Sequence, residues 1–301
     1  MIDYIKLHCP DRDEAFNKFK SKFVLDEFRY SRFDRTKEEF VNYETYKKKF
    51  QNMDLVITNK TAYVHNSLHR FYNLYTAGID GNFNDFAFSS ISKAINILTN
   101  ILEIPANQLI LSQNLEFGLN LEVPFEIKSF IISEALLYRF KPHTFAPEPN
   151  EDMIYKDFET VNDRIRLYDK GRQQSTNPNI LRIELKMKDR REFSKYGIET
   201  LEDLNNPLNL QVLYDKLYDK IKKDLVVIDS ISDKNFSSYL NRKLYSFSSS
   251  KYWDELKRNN KDLYKMEIRK LSPFLEKHKL LEHKKVILSL MEAKFNELII
   301  K

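Results

Sequence analysis

Two neighbouring segments of the chain combine a tyrosine, a carboxylate and several cations. Residues 164–173 read RIRLYDKGRQ and carry Tyr168, and residues 179–188 read NILRIELKMK and carry Glu184. A phenol among cationic side chains suits chemistry on phosphate, because cations bind phosphate oxygens and help a weak phenol nucleophile to lose its proton. The carboxylate nearby suits a divalent metal ion.

Three cations near this tyrosine are candidate phosphate ligands. Lys170 follows Tyr168 by two residues, and Arg182 and Lys186 lie on either side of Glu184. Guanidinium and ammonium groups form charge-assisted hydrogen bonds with phosphate oxygens. We therefore expect Lys170, Arg182 and Lys186 to act with Tyr168.

The polar faces of three predicted strands supply candidate metal ligands. In QNLEFGLNLEV, Glu116 shares a face with Asn120, and in ILRIELKMK, Glu184 shares a face with the two cations beside it. If these strands are neighbours, Glu116, Glu184 and Tyr168 converge on one sheet surface. Carboxylates on rigid strands suit Mg²⁺ or Mn²⁺, which prefer hard oxygen ligands and leave positions open for phosphate.

Two further side chains are candidate metal ligands. Asp169 follows the tyrosine directly, and His69 lies four residues after His65. Histidines four apart form a metal-binding pair when both lie on one helix, although this segment begins like a strand. A structural, hydrogen-bonded histidine is the other interpretation of His69.

The elements that must position these residues alternate between strands and helices. Period-two patterns predict strands in IDYIKLHC, YETYKKKF, DLVITNK, AYVHNSL, QLILSQNLEFGLNLEV, DMIYKDF, DRIRLYDK and ILRIELKMK. Amphipathic patterns predict helices in DRDEAFNKFKSKF, FAFSSISKAINILTNIL and EIKSFIISEALLYRF. We expect an α+β fold with a mixed, mainly antiparallel central sheet and helices packed on it.

The C-terminal part of the chain has a different character. From about Glu199 onward the pattern predicts helices almost to the end, which places a boundary near residues 199–207. We expect residues 1–204 to form one domain and residues 205–301 an all-helical region.

The composition excludes several classes of protein. Five glycines in 301 residues, with neither GxGxxG nor GxxxxGK[ST], argue against a dinucleotide-binding or P-loop site. Cys9 is the only cysteine, so a disulfide within the chain and a thiolate metal cluster are both excluded. No stretch of about 18 apolar residues occurs, so we expect a soluble cytoplasmic protein without a membrane partner.

Positive charge is concentrated at the C-terminal end. The chain has a formal net charge of +5; residues 215–301 hold 20 Lys and Arg against 13 Asp and Glu, which is +7 and leaves −2 for the rest. Such a basic region is typical of a nucleic-acid contact, and solvated lysines on amphipathic helices are the equally weighted alternative. The candidate phosphate contacts are Lys216, Lys220, Lys222, Lys223, Arg242, Lys243, Arg258, Arg269 and Lys270.

Five segments, in order along residues 1–204, carry a family resemblance. They are MIDYIKL, SLHRFYN with GNFNDF, NLEFGLNLEV, LYDKGRQ, and LRIELKMKDRREFSKYGIETLEDL. In this order they resemble the replication initiators of filamentous phages, the gene II protein family, and related phage and plasmid replication proteins. The RLYDK and LRIEL pair is also similar to motifs of plasmid rolling-circle initiators of the Rep_trans type.

The resemblance implies a fold, an activity and partners. The fold would be an HUH-like or Rep-like nicking core, and Tyr168 would be the nucleophile. Its attack on one DNA strand at an origin would leave a 5′-phosphotyrosine and a free 3′-OH, and reversal would rejoin the strand at the end of replication. Residues 205–301 would bind DNA or serve as an accessory region. The implied partners are single-stranded and duplex origin DNA and a host helicase and polymerase, with Mg²⁺ or Mn²⁺ as cofactor.

Two other functions remain open at this level. A non-catalytic DNA-binding replication or regulatory protein would use the basic helices without forming a covalent adduct. A mobilisation relaxase would use the same nicking and joining chemistry for plasmid transfer. Sequence patterns do not separate the relaxase from the replication initiator, because both nick and rejoin one strand.

Overall fold

The structure is a computed structural model of the 301-residue chain. It describes residues 1–34, 36, 38–144, 154–173, 179–230 and 236–301.

The strands within these ranges, in chain order, are β1 (Tyr4–Cys9), β2 (Asp26–Asp34), β3 (Glu39–Phe50), β4 (Met53–Ile57), β5 (Ala62–Ser67), β6 (Ile110–Leu111), β7 (Leu115–Glu122), β8 (Ala135–Tyr138), β9 (Tyr155–Glu159), β10 (Asp163–Asp169), β11 (Ile180–Met187) and β12 (Leu225–Val227). The α-helices are α1 (Arg12–Lys22), α2 (Leu68–Ala77), α3 (Phe88–Leu102), α4 (Ile127–Ser129), α5 (Lys170–Gln173), α6 (Arg191–Ser194), α7 (Pro207–Asp219), α8 (Ser238–Ser248), α9 (Ser250–Asn259), α10 (Lys261–Lys277) and α11 (Glu282–Ile300). The chain also forms 3-10 turns at Ala106–Gln108 and Glu202–Asn205, and π turns at Phe130–Glu134 and Lys220–Asp224.

The chain forms two compact units that are interleaved in sequence. The first unit contains residues 1–118, 186–214 and 297–301, and the second contains residues 119–185 and 215–296. Strands β7 and β11 and helices α7 and α11 each begin in one unit and end in the other. The functional division between residues 1–204 and 205–301 stays a prediction.

The first unit contains a six-stranded sheet in the order β2-β3-β4-β5-β1-β6. Every neighbouring pair in it is antiparallel. Residues of β1 alternate between buried and partly exposed positions, with Ile5 and Leu7 buried completely. Helices cover the buried face, where Phe16 of α1 contacts Tyr46 of β3 and Phe50 contacts Phe71 of α2.

Helix α2 begins immediately where β5 ends. The Ser67 hydroxyl accepts a hydrogen bond from the backbone N–H of Arg70 and so caps the helix. Gly78 ends the helix in the left-handed region, with φ of 67°, which a glycine adopts without strain. His65 therefore lies on a strand and His69 on a helix, and the two do not share a helical face.

The second unit carries most of a four-stranded sheet in the order β7-β11-β10-β9. Strands β9 and β10 are antiparallel, with Tyr155 directly opposite Tyr168 and Asp157 opposite Arg166. Separately, β12 pairs with β8 in an antiparallel two-stranded sheet. The α+β class, the antiparallel sheet, the packed helices and the helical C-terminal region are confirmed.

The C-terminal helices have their own hydrophobic cluster in the second unit. Trp253 is 1% exposed, and its indole Nε1 donates a hydrogen bond to the backbone oxygen of Phe247 at 2.9 Å. Phe247 stacks on Trp253, and Leu244, Leu271 and Leu275 are buried in the same cluster. Among the helices that the structure describes, none has the length and apolar composition needed to span a bilayer.

Three structural predictions from the sequence were wrong in detail. Residues 126–140 were predicted as one helix, but α4 passes into a π turn and then into β8. The helix stops because Lys156 caps it from β9: its Nζ donates to the backbone oxygens of Ile132 and Ala135 at 3.1 and 2.9 Å. The predicted all-helical C-terminal region also contains the strand β12, and the expected single sheet is divided into three.

Candidate active site

Tyr168 lies near the end of β10 with its ring on the polar face of the strand. Its hydroxyl donates a hydrogen bond to Oε1 of Glu184 on the neighbouring strand β11, at 3.0 Å. Tyr168 is 6% exposed and Glu184 is 5% exposed. The predicted approach of these two side chains is therefore present, in a largely buried position.

Arg182, on the same strand as Glu184, also binds this carboxylate. Its Nε donates to the same oxygen, Oε1 of Glu184, at 2.5 Å, and its Nη1 donates to Oδ1 of Asn120 on β7 at 3.0 Å. Oε2 of Glu184 has no hydrogen-bond partner among the described residues. One carboxylate oxygen thus accepts from a phenol and a guanidinium, and the other is available to a ligand.

Lys170 approaches the tyrosine ring from the residue after β10. The strand ends at Asp169, so Lys170 begins the short helix α5 and does not continue the strand face as the sequence pattern suggested. Its Nζ lies 5.5 Å from the centroid of the Tyr168 ring and donates to Oε1 of Gln173 at 2.8 Å. Lys170 is 2% exposed, so its charge acts within the protein interior.

Asp169, a predicted metal ligand, has a local structural role. Its Oδ1 accepts a hydrogen bond from the backbone N–H of Arg172 at 2.9 Å, which caps α5. Its backbone N–H donates to the oxygen of Ile154.

A second ion pair involves Arg166, which lies two residues before Tyr168 on β10. Arg166 makes a bidentate contact with Asp157 on β9, with Nε–Oδ1 and Nη2–Oδ2 distances of 2.7 Å each. Burial alone lowers the pKa of Arg166, but the hydrogen bond and charge of Asp157 outweigh it, and Glu184 adds to them, so the pKa is raised. Asp157 was not predicted from the sequence; the available signal was its place directly opposite Arg166 in a β-hairpin.

Glu116 and Lys186, also predicted site residues, lie in the first unit. Lys186 Nζ is 3.1 Å from Oε1 of Glu116 and 5.0 Å from the centroid of the Tyr4 ring. Burial, and then the charge of Glu116, raise the pKa of Tyr4 to about 12. Glu116 is therefore bound to a cation from this chain.

His69 is a buried histidine in the first unit with polar and aromatic neighbours. Its Nε2 lies 2.7 Å from Oδ1 of Asn84, and its ring stacks on Phe86 with the centroids 4.5 Å apart. It is 2% exposed. These contacts match the structural interpretation of His69, and its role as a metal ligand stays a prediction.

The side chains around Tyr168 offer one protein oxygen that could bind a divalent metal ion. Mg²⁺ is commonly held by one or two carboxylates, with waters and substrate phosphates completing the shell. Oε2 of Glu184 fits that requirement.

A second group of potential metal ligands was invisible in the sequence. Glu134, Asp229 and His283, all in the second unit, offer ligand atoms within 4.8 Å of one another. His283 Nδ1 is 2.6 Å from Oε2 of Glu134, and Asp229 accepts from the backbone N–H groups of Glu282 and His283. Burial, the largest influence, raises the pKa of Asp229. As the structure stands, the carboxylate of Asp229 caps α11.

The predicted phosphate contacts of the C-terminal helices divide into two groups. Lys220 is buried and ion-paired with Asp163 at 2.5 Å, so the prediction that it binds phosphate was wrong. Lys223 is exposed but ion-paired with Asp219 at 2.7 Å. Lys216 and Lys243 are partly exposed, and Lys243 Nζ lies 3.9 Å from Oε2 of Glu267. The remaining predicted contacts, Lys222, Arg242, Arg258, Arg269 and Lys270, are exposed and form no ion pair among the described residues.

Comparison with known proteins finds similarity among solved structures. No family model matches the chain, and no curated protein matches it. The structure is similar to one described as a rolling circle replication initiator protein from Geobacillus stearothermophilus. The two share 11% sequence identity, the match covers 82% of this chain and 96% of the other, and the TM-score is 0.43.

Proposed function

We propose that this chain is a rolling-circle replication initiator that cuts and rejoins one DNA strand through Tyr168. The observation that carries the proposal is the contact of the Tyr168 hydroxyl with Glu184 and Arg182 on the adjacent strand. The order of the five segments that resemble phage and plasmid initiators supports the same assignment.

The proposed reaction is a phosphoryl transfer to the phenol. Oη of Tyr168 attacks the phosphorus of one phosphodiester, the bond from phosphorus to the 3′-oxygen breaks, and that oxygen leaves as a 3′-OH after taking up a proton. The other product is a 5′-phosphotyrosine. In the reverse step a 3′-OH attacks the phosphotyrosine and releases the phenol, so the bond energy is conserved and no nucleotide hydrolysis is required.

Each neighbour of Tyr168 has a role in this proposal. Glu184 Oε1 accepts the hydroxyl proton and orients the phenol for attack, as a general base does. Arg182 balances the charge of Glu184, and Lys170 places a positive charge 5.5 Å from the ring centroid, which stabilises the developing phenolate. Asn120 holds Arg182 in position.

A divalent cation, Mg²⁺ or Mn²⁺, fits the proposal through Oε2 of Glu184. When bound, it would neutralise negative charge on the phosphate. Glu184 would then serve the phenol with one oxygen and the metal with the other. The predicted roles of Glu116, Asp169 and His69 as further ligands, and of Lys186 on the phosphate, are part of the hypothesis and need separate variants.

Because Tyr168 is buried, the proposed reaction requires a conformational change. With 6% of the residue exposed, a phosphate reaches the hydroxyl only after a rearrangement around the end of β10. The proposal therefore includes opening of this region when the DNA strand binds.

The C-terminal helices are assigned to duplex DNA. Arg242, Arg258, Arg269 and Lys270 on α8, α9 and α10 are exposed and have no ion pair among the described residues. Cations of this kind bind phosphates without reading sequence and so position a duplex origin. A host polymerase would extend the free 3′-OH, and a host helicase would separate the strands.

A non-catalytic DNA-binding protein is the second candidate, and one observation favours it. Tyr168 and Glu184 are both nearly inaccessible, and a buried phenol that donates to a buried carboxylate is also a common structural arrangement. In that case the residues around Tyr168 stabilise the sheet, and the exposed cations are the functional part.

A covalent-adduct experiment separates the two candidates. The chain is incubated with labelled single-stranded DNA from the element that encodes it, with Mg²⁺ or Mn²⁺, and run on a denaturing gel. The proposal expects a labelled protein band that Tyr168→Phe abolishes, together with cutting and rejoining. Tyr155→Phe is the matched control, because Tyr155 lies directly opposite Tyr168 and should leave the band unchanged.

Each other outcome of that experiment has a definite meaning. If the adduct persists in Tyr168→Phe, another residue is the nucleophile. If cutting persists without an adduct, activated water attacks and the protein is a simple nuclease. If the unmodified chain binds the DNA and neither cuts nor attaches to it, the non-catalytic candidate is correct.

A further inference from the structure

The six-stranded sheet of the first unit has helices packed on one face and aromatic side chains on the other. On this second face, which we call the aromatic face, the register aligns Phe28 of β2 with Thr45 of β3, and Tyr30 with Tyr43. Toward the opposite edge of the sheet, Tyr63 of β5 and Tyr4 of β1 lie on this same face, as the strand registers show.

The rings of the aromatic face are accessible. Phe28 is 49% exposed and Tyr30 is 55% exposed, and Tyr4, Tyr43 and Tyr63 are partly exposed. Tyr30 and Tyr43 stack with centroids 5.4 Å apart and planes at 15°. Exposed aromatic rings on an antiparallel sheet are the structural element on which proteins stack nucleobases.

Cations lie among these rings. Lys6 Nζ is 4.5 Å from the centroid of Tyr63, and Lys47 Nζ is 5.1 Å from that of Phe28. No ion pair holds Lys6, Lys47 or Lys49 within the described part of the chain. The registers place four cations, Lys6, Arg32, Lys47 and Lys49, and four carboxylates, Asp26, Asp34, Glu39 and Asp54, on this face. Asp34 and Glu39 are opposite each other, where β2 ends and β3 begins, away from Lys6 and Lys47.

Tyr4 and His65 also lie between the rings of this face. The Tyr4 hydroxyl lies 3.0 Å from Nδ1 of His65. Burial lowers the pKa of His65; Asp54 opposes this and Lys6 adds to it. Directly beside the rings of Tyr63 and Phe28, the aromatic face therefore presents lysine ammonium groups.

We infer that the aromatic face binds single-stranded DNA, with bases stacked on Tyr63 and Phe28 and phosphates held by Lys6 and Lys47. The choice of DNA rests on the proposed function, and the binding itself does not require the covalent step. Both lysines have flexible stems, and an exposed contact between a cation and a ring is weaker than base stacking on that ring. A base therefore displaces each lysine from its ring toward the adjacent phosphate.

The dimensions of the sheet set the length of strand that fits. Strands β2 and β1 are separated by three intervening strands, which is four spacings of about 4.8 Å or roughly 19 Å in total. A single strand at about 5–6 Å per nucleotide would cover this width with about four nucleotides, within the site sizes of other single-strand binding surfaces. Affinity for oligothymidine should rise with length up to roughly that size and then level off.

The test uses the full chain with Tyr168→Phe as background, so that no covalent step contributes. Binding of fluorescein-labelled oligothymidine is measured by anisotropy. Tyr63→Ala and Phe28→Ala should each weaken binding about 5- to 150-fold, the range for loss of one stacked base. Tyr75→Ala is the matched control, since Tyr75 is an exposed ring of the first unit on helix α2.

A second pair of variants tests the phosphate contacts. Lys6→Ala should weaken binding and reduce its dependence on salt, whereas Lys60→Ala, in the turn between β4 and β5, should change neither. In the chain without substitutions on this face, oligothymidine carrying 4-thiothymidine should crosslink to peptides within residues 1–67. This measurement does not depend on the folding of any aromatic-face variant.

Several results would overturn the inference. These are unchanged affinity in both ring variants, an equal loss in Tyr75→Ala, equal competition by duplex DNA, or crosslinks confined to residues outside 1–67. Failure of the proposed function looks different, because the unmodified chain would then bind oligothymidine through these rings and form no adduct. Failure of this inference alone would leave adduct formation intact in Tyr63→Ala and Phe28→Ala.

Discussion

The substitution Glu184→Gln should inactivate the protein and also destabilise it, and the two effects can be separated. Glu184 and Arg182 are 5% and 3% exposed, so the charge of the arginine is balanced inside the protein by this carboxylate. Glutamine keeps an oxygen at the position of Oε1, which still accepts from Tyr168 and Arg182. What is lost is the negative charge, so the buried ion pair of Arg182 with Glu184 loses its anionic member.

The expected cost follows from this geometry. Removing one partner of a buried ion pair typically destabilises a protein by about 3–5 kcal/mol. The hydrogen bond from Arg182 Nη1 to Asn120 is retained, which places the expected value near the lower end, at about 3 kcal/mol. That is a large part of a typical stability of about 5–15 kcal/mol, but it leaves the protein folded in the absence of denaturant.

Urea unfolding measures this cost, with Trp253 as the probe because it is the only tryptophan and lies in the same unit as Glu184. The double variant Arg182→Met with Glu184→Gln removes the buried cation together with the carboxylate charge. It should recover most of the lost stability, since replacing both members of a buried pair is often nearly neutral.

Activity is then measured on the folded proteins. Both the single and the double variant should form no covalent DNA adduct, because neither retains a carboxylate beside Tyr168. The reasoning is refuted if Glu184→Gln costs less than about 1 kcal/mol, or if the double variant is no more stable than the single one. Full adduct formation by Glu184→Gln would remove Glu184 from the mechanism while leaving its structural role.

Two further predictions concern buried and exposed cations elsewhere in the chain. Burial lowers the pKa of Lys156 to about 8, below its ordinary value of 10.5, so the folded protein holds fewer protons than the unfolded one between these values and its stability should rise with pH. From pH 8 to 10 the contribution of Lys156 is about 2–3 kcal/mol; Lys156→Met should remove it from urea-unfolding curves, and an identical pH slope in the variant would contradict the pKa. Separately, replacing exposed cations of the C-terminal helices by glutamine should weaken duplex DNA binding and lower the salt slope by about 0.9 for each lost phosphate contact. Filter binding over a salt series measures this slope for Arg242, Arg258, Arg269 and Lys270, with Lys20→Gln as the control on α1. Unchanged slopes would assign these helices to a protein partner or to oligomerisation.

Truncation near residue 206 would be a poor test of the C-terminal helices. Such a chain would lose β12, which pairs with β8, and Lys220, which neutralises the buried Asp163. The second unit contains both Tyr168 and residues 215–296, so removal of the helices would also damage the structure around the candidate nucleophile. Point substitutions at exposed cations avoid this difficulty.

Much of the fold could be predicted because it depends on local patterns. The alternation in RIRLYDK and ILRIELKMK correctly predicted β10 and β11, and the apolar spacing from Ile91 to Leu102 predicted α3. These signals are strong because a strand or helix must bury one face wherever it packs. The chemical types of the residues around Tyr168 were likewise visible, since a tyrosine, a glutamate and an arginine occur within twenty residues.

The tertiary structure alone decided which of these residues meet and how exposed they are. Strand order brought Glu184 and Arg182 to Tyr168, whereas Glu116 is paired with Lys186, a choice that alternation within single strands cannot specify. The capping of residues 130–134 by Lys156 turned a predicted helix into a turn and a strand. The sequence determined the local periodicities and the chemical groups; the partners of each group came from contacts between segments distant in the chain, whose free energies depend on packing and desolvation and leave no local pattern.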